Sequence, residues 1–213
     1  VEVNLVAQDL TAYGDDRPGS GGLAPLVRRL ARVPGLSWLR LLYAYPNRVT
    51  DELLSAIAEE EKVCAYLDVP LQHVDDAVLK AMRRGTPEAL VRALVARVRA
   101  RVPGIALRTT LITGFPGEDD RAFARLCDFV REAQFERLGV FAFSPEDDTV
   151  AATLPNQVPS EVAEERRDIL MQIQQDISSN VNKRLVGQVV PVLVEGASAE
   201  TDLLLAGRTA GQA

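Results

Sequence analysis

The chain has 213 residues, 47% of them hydrophobic and 25% charged, with a formal net charge of -6. Such a composition suits one sizeable globular core plus a small appendage and disfavours disorder. No apolar run is long enough for a membrane span and VEVNLVAQDL shows neither a basic leader nor a cleavage pattern, so no membrane partner and a cytoplasmic place are expected. The acidic balance disfavours nucleic acid as a partner, because phosphate neutralisation needs a surplus of cations.

Residues 2–7 read as a strand, followed by a polar Asp- and Gly-rich loop from Gln8 to Gly22. Leu26, Leu30 and Val33 then recur at helical spacing until Pro34-Gly35, and a second strand is predicted over 38–45, closed by Pro46. Thr50 caps a helix whose stripe is Leu53, Leu54, Ile57 and Ala58. Residues 64–69 form a third strand that must finish at Pro70, which has no amide hydrogen to give to a ladder. A helix carrying Val78, Leu79 and Met82 follows and is expected to end at Gly85. The next helix runs from Pro87 to Val102 with Leu90, Leu94 and Val98 inward, then a strand over 105–113, a Gly-rich loop, a helix over 121–133 and a strand over 138–143.

Five strands alternating with helices of this length predict parallel pairing through right-handed crossovers. Every strand empties into a polar or Gly/Pro-rich loop at its carboxyl end, where ligands gather in parallel α/β proteins. Beyond residue 159 the texture changes. Val162, Ile169, Ile173, Ile177, Val181 and Leu185 mark one face of a long packing helix, and from Gly187 two short strands are separated by small residues. A chain that begins on a core strand and stops inside a β-texture is expected to be cut at both ends.

The candidate site residues sit at those strand ends. Gln8-Asp9 suits loop capping and ligand contact about equally. Gln72-His73 forms either a corner that satisfies backbone groups or a ligand-facing pair, and His73, the only histidine, rules out a multi-histidine metal site. Arg108, at mid-strand, is a paired cation or a carboxylate clamp. Gly114, Gly117 and Glu118 belong to the loop GFPGE, whose glycines supply positive φ and whose amides offer close approach to a ligand. Arg83-Arg84 reads as a match to a helix-end dipole. Cys64 and Cys127, far apart and in no C-x-x-C pattern, read as small buried hydrophobes with no disulfide.

NLVAQDLTAYG (4–14), LRLLYAYP (39–46), YLDVPLQH with MRRG (66–85), LRTTLITGFPGE (107–118) and LPNQVPSEVAEERR (154–167) resemble the radical S-adenosylmethionine methylthiotransferases, in the branch that modifies a ribosomal protein. The resemblance implies an α/β fold: a partial parallel (β/α) barrel over 1–158 lacking its first strand and cysteine loop, a long packing helix over 159–186, and the start of a TRAM-like β-domain over 187–213. It implies S-adenosylmethionine as cofactor, bound through Gln8, Asp9, Gln72, His73, Arg108, Gly114, Gly117 and Glu118. It also implies two 4Fe-4S clusters in the intact family, neither ligated by this chain because the C-x-x-x-C-x-x-C triad is absent; no metal ligand is expected here, and the chain alone is expected to be inactive. The reaction implied adds a methylthio group to the β-carbon of an aspartate in a small-subunit ribosomal protein. A non-catalytic ribosomal-protein-binding module and a tRNA methylthiotransferase are the alternatives. The sequence departs from the family at Asp147-Asp148, where a glycine is common. The segment from Gly187 sets only Arg208 against Glu195, Glu200 and Asp202, which suits a basic protein partner better than RNA.

Overall fold

The computed structural model describes every residue except Pro18 and Ser20. Its strands and helices are β1 (Glu2–Leu5), α1 (Leu23–Ala31), β2 (Trp38–Leu41), α2 (Asp51–Glu59), β3 (Tyr66–Asp68), α3 (Asp76–Ala81), α4 (Glu88–Arg101), β4 (Ala106–Thr113), α5 (Asp120–Ala133), β5 (Arg137–Ala142), α6 (Ser160–Lys183), β6 (Val192–Ala197) and β7 (Leu205–Thr209). β1 pairs in parallel with β2, and β3, β4 and β5 pair in parallel in that order. A bridge from Leu39 to Val63 and a hydrogen bond from the Ala44 amide to the Asp68 carbonyl (2.8 Å) join the two sets. The first three strands are shorter than the sequence predicts, because their last residues leave the ladder. Tyr43 turns to φ 61°, and Pro70 interrupts the pairing with β4, which resumes only as a bridge from Gln72 to Leu111.

The pleat divides the sheet chemically. Leu39, Leu41, Leu67, Val69, Leu107, Leu111 and Val140 face the helices and share one core with Val27, Leu54, Leu94, Leu126 and Phe129. Each such side chain, fully buried, contributes about 1.5–3 kcal/mol. Alternate residues face the helix-free side. There Asp68, Arg108 and Arg137 stand opposite one another across β3, β4 and β5.

Three expectations are corrected. In α4 the buried stripe is Val91, Leu94 and Val98, and Leu90 is exposed. In α6 the expected stripe holds at Ile177, with Ile173 and Val181 packed against the core, but Ile169 and Leu185 are exposed and the fully buried face also takes Ala163, Arg166, Leu170 and Gln174. The helix turns this way because Arg166 and Gln174 have hydrogen-bond partners in the body of the protein. The helix α3 stops before Gly85: Arg83 takes φ 57°, and the amides of Arg83 and Arg84 bond the carbonyls of Lys80 and Leu79, a Schellman ending built on arginine. Asp148, in the acidic pair at which the sequence departs from the resembled family, adopts φ 64°, so an aspartate holds a left-handed turn there.

β6 and β7 form an antiparallel hairpin with an irregularity between Val194 and Gly196. The chain after it returns to the helix-free face, where Ala210 packs with Trp38, Tyr66 and Ala106. The fully buried Arg40 donates to the Ala210 carbonyl (2.7 Å) and to Glu2 (2.8 Å) while lying over the Tyr66 ring. Among the described residues no helix is long and apolar enough to cross a membrane.

Candidate cofactor site

A cavity of about 330 Å³ opens at the carboxyl ends of the strands, lined by Gln8, Tyr43, Tyr45, Gln72, Arg84, Arg108, Thr110 and Phe141. Gln72 is held there by both of its backbone groups. Its amide donates to the Thr110 carbonyl (2.9 Å) and its carbonyl accepts from the Ile112 amide (2.7 Å), at φ 72°. Two non-glycine residues of positive φ, Tyr43 and Gln72, therefore border one cavity, a concentration of backbone strain typical of binding sites. Gln72 and Arg84 also line an adjoining, more apolar cavity of about 270 Å³ with Met82, Ile112, Phe115 and Leu154.

Arg108 donates to Asp68 (3.0 Å), whose carboxylate is almost fully buried. Burial pushes the Asp68 carboxyl above its ordinary value, against the opposing pull of Arg108 and of the Tyr43 amide. The Tyr66 hydroxyl is pushed up to about 12, first by burial and then by Asp68, so at neutral pH it remains a donor. Arg84, in contrast, makes no ion pair among the described residues, so its charge is free for an anionic ligand.

The other expected residues lie elsewhere. Asp9 caps a short turn, accepting from the Thr11 amide (3.0 Å) and facing Arg48 at 3.6 Å. Gln8 alone of that pair reaches the cavity. His73 is fully buried: its Nδ1 accepts from the Asp75 amide (2.9 Å), so Nε2 carries the proton and donates to Glu118 (3.1 Å). The second Glu118 oxygen accepts from the Gly114 amide (3.1 Å) and from Arg166 (2.8 Å). Arg166 further bonds the Glu118 carbonyl (2.9 Å) and Asp120 (2.6 Å). The reading of free loop amides is thus corrected: those of Gly114, Gly117 and Glu118 go to the Glu118 side chain, the Asn156 carbonyl and the Phe115 carbonyl. A Cβ on Gly114 would lie 2.1 Å from that of Ala163, so the close neighbour that requires glycine is helix α6.

Sequence reasoning passed over Tyr43, Thr110 and Phe141 and read Arg84 as a match to a helix-end dipole. Period-two alternation from Arg108 reaches Thr110, and strand pairing carries Phe141 to Ile112 on the same face. Arg84 carries no such signal; the tight end of α3 brings it to the cavity.

The chemistry offered is a free guanidinium, two amides and several aromatic rings beside an apolar slot, which suits a ligand combining a carboxylate with a flat base. Residues 10–130, more than half of the chain, match the family model of the Radical SAM superfamily, and the chain belongs to that superfamily. Among its curated relatives are proteins named ribosomal protein uS12 methylthiotransferase RimO. That of Syntrophotalea carbinolica is 53% identical over 212 residues, covering 100% of this chain and 47% of the relative, and that of Geobacter sulfurreducens is 52% identical with the same coverage. One from an Anaeromyxobacter species is 55% identical over 213 residues and is covered to 45%. The chain thus spans about half the length of the curated relatives it matches. Two solved structures share its fold. Coproporphyrinogen III oxidase (HemN) from Escherichia coli has a TM-score of 0.50 at 20% identity, covering 76% of this chain and 36% of that one. The radical S-adenosylmethionine methyltransferase TsrM from Kitasatospora setae has a TM-score of 0.51 at 17% identity, covering 66% of this chain and 27% of that one.

An iron-sulfur cluster needs several thiolates around one point. Cys64 and Cys127 are both buried, burial raises the pKa of each, and no group of three His, Cys, Asp or Glu suited to a metal occurs among the described residues. These residues do not fit a cluster.

Proposed function

We propose that the protein containing this chain is a methylthiotransferase acting on an aspartate side chain of ribosomal protein uS12, and that this chain supplies its S-adenosylmethionine-holding face. The observation that carries the reading is the pair of adjoining cavities joined at Gln72 and Arg84, on a chain more than half identical to uS12 methylthiotransferases along its whole length. The apolar slot beside Ile112 and Phe115 takes the adenine. Gln8, Gln72 and Arg84 face the amino-acid end of the cofactor, with Arg84 as carboxylate clamp, while Arg108 borders the same cavity already paired to Asp68. Asp9, His73, Gly114, Gly117 and Glu118 hold the walls in place.

The five parallel strands serve as a segment of the radical SAM partial barrel, and the hairpin of β6 and β7 as the beginning of a TRAM-like domain. Any cluster is held by residues other than Cys64 and Cys127. Arg208, the single cation of that hairpin segment, is bound by Glu2 and by Glu195 (2.6 Å), which leaves the hairpin acidic and favours a basic ribosomal protein over tRNA. A ribosomal partner places the activity in the cytoplasm.

The test is anaerobic incubation of the whole protein with S-adenosylmethionine and purified uS12, followed by peptide mass spectrometry. The expected result is the mass gain of one methylthio group on an aspartate of uS12. Modification of tRNA in its place overturns the reading.

A further inference from the structure

Among the described residues three aromatic side chains are exposed, Tyr13, Tyr43 and Phe141, and the last two border the cofactor cavity. Phe141 is 62% exposed and Tyr43 45%. Neither ring is loosely attached. The Phe141 ring lies back over Gly139, where an added Cβ would stand 3.8 Å from Phe141 Cε2 and 4.0 Å from Thr110 Oγ1. Tyr43 is pinned at φ 61°: its carbonyl accepts from the Leu10 amide (3.0 Å) and its own amide bonds Asp68. A bulky side chain in the left-handed region is strained, so this backbone holds the Tyr43 ring in place at a cost.

Phe141 also stands at a junction. It pairs with Ile112 across the ladder; Ile112 lines the apolar slot assigned to the adenine, and Phe141 lines the cavity assigned to the amino-acid end. The atom that joins those two parts of S-adenosylmethionine is a sulfonium, a fixed positive charge with no hydrogen to donate. No carboxylate lines the cavity, and the buried Asp68 already answers Arg108. The side-chain oxygens of Gln8 and Gln72 serve hydrogen-bond donors, which the sulfonium is not. The electron-rich surfaces left for it are the ring faces, which attract a cation most strongly where water is excluded.

We infer that Tyr43 and Phe141 hold the sulfonium against their rings and thereby select the charged cofactor over the neutral thioether S-adenosylhomocysteine. The inference rests on the reading of this cavity as the cofactor site, and gives its middle part a partner that the two ends do not supply. The charges then balance along the ligand, with Arg84 on the carboxylate and the rings on the sulfur. A ligand that has lost the positive sulfur loses this contact and leaves more readily.

Anaerobic equilibrium dialysis of the whole protein compares S-adenosylmethionine, S-adenosylhomocysteine and sinefungin, in which a carbon bearing an ammonium replaces the methylated sulfur. Contacts to the adenine and to the amino-acid end are common to all three and cancel in the ratios. S-adenosylmethionine should bind about tenfold more tightly than S-adenosylhomocysteine, with sinefungin close to the former. Phe141→Leu and Tyr43→Leu should each cut that ratio about threefold, by weakening S-adenosylmethionine at an unchanged affinity for S-adenosylhomocysteine, and Phe141→Tyr should keep it. Circular dichroism checks the fold of each variant, and Phe141→Leu, at an exposed position, decides alone if Tyr43→Leu does not fold. Equal binding of S-adenosylmethionine and S-adenosylhomocysteine to the wild type, an unchanged ratio in the folded leucine variants, or an equal loss of both ligands overturns the assignment. Sinefungin binding as weakly as S-adenosylhomocysteine would tie the preference to the methyl group and overturn it too. Binding of all three without preference leaves the cofactor reading standing, whereas binding of none removes both.

Discussion

Two groups of polar side chains flank β4, and they differ in how fully their atoms are engaged. On one side His73, Glu118 and Arg166 form a closed set: both Glu118 carboxylate oxygens are occupied, both ring nitrogens of His73 are used, and Arg166 reaches three acceptors. On the other side the Tyr66 hydroxyl and the Gln174 Oε1 are buried without a hydrogen-bond partner, and the half-buried Arg137 makes no ion pair, among the described residues. The closed set ties the β3–α3 corner, the loop after β4 and α6 into one frame. The cofactor cavity is bordered by a further unengaged group, Arg84, which makes no ion pair among the described residues. Satisfied valence marks the scaffold and unsatisfied valence the site.

The largest effect should come from opening the closed set. Glu118→Ala strands a buried guanidinium, a buried imidazole and the Gly114 amide, and should cost about 3–5 kcal/mol in urea unfolding. A loss below about 1 kcal/mol would mean that the cluster is not a scaffold. Gly114→Ala comes next, at about 2–4 kcal/mol, since its new methyl meets Ala163 at 2.1 Å and its φ is +74°. Adding Ala163→Gly should return part of that loss. If it returns nothing, α6 is not the neighbour that demands glycine.

Acid titration sharpens the comparison further. Burial pushes the Asp75 carboxyl up, but the Val78 amide, Arg125 and the Ala77 amide outweigh it and hold the pKa below the ordinary value of 3.8. Asp75 therefore contributes stability that is present above that value and is lost as pH falls through the lowered pKa. Asp68, raised by burial, has the opposite sign: its penalty is present above its folded pKa and is relieved as pH falls. In thermal unfolding against pH, Asp75→Asn should flatten the loss of stability below about pH 4, and Asp68→Asn should leave neutral stability equal or higher. Matching pH profiles for the two variants would remove the distinction. The smallest effect is that of Tyr66→Phe, within about 1 kcal/mol, because the lost hydroxyl has no partner to abandon.

The parallel α/β plan was legible because β4 alternates cleanly from Ala106 to Thr113 and Pro46 and Pro70 mark where the segments of β2 and β3 must leave the ladder. Gln72 was legible for the same reason, standing just beyond a strand that proline stops. The rest depended on contacts far apart in sequence. Arg166 and Gln174 read as the polar face of an amphipathic helix until Glu118 and the Phe135 carbonyl meet them, which is why the predicted stripe of α6 holds at Ile173, Ile177 and Val181 but not at Ile169. Gly114 looked like a ligand-approach glycine because nothing local reveals that Ala163 crosses it. Arg84 looked like a helix-end charge because its value lies in having no partner, which sequence does not show.

The most direct test is equilibrium dialysis of S-adenosylmethionine against the wild-type chain and the variants Arg84→Ala, Arg108→Ala and Arg166→Ala, with the unfolding midpoint of each measured alongside. Arg84→Ala should weaken binding by roughly ten- to a hundredfold at an unchanged midpoint, while Arg108→Ala, whose charge is already paired to Asp68, should weaken it less. Arg166→Ala should lower the midpoint and, where the chain remains folded, leave affinity near that of the wild type. Full affinity in Arg84→Ala, or a loss of affinity in folded Arg166→Ala as large as that in Arg84→Ala, would contradict the division between site and scaffold.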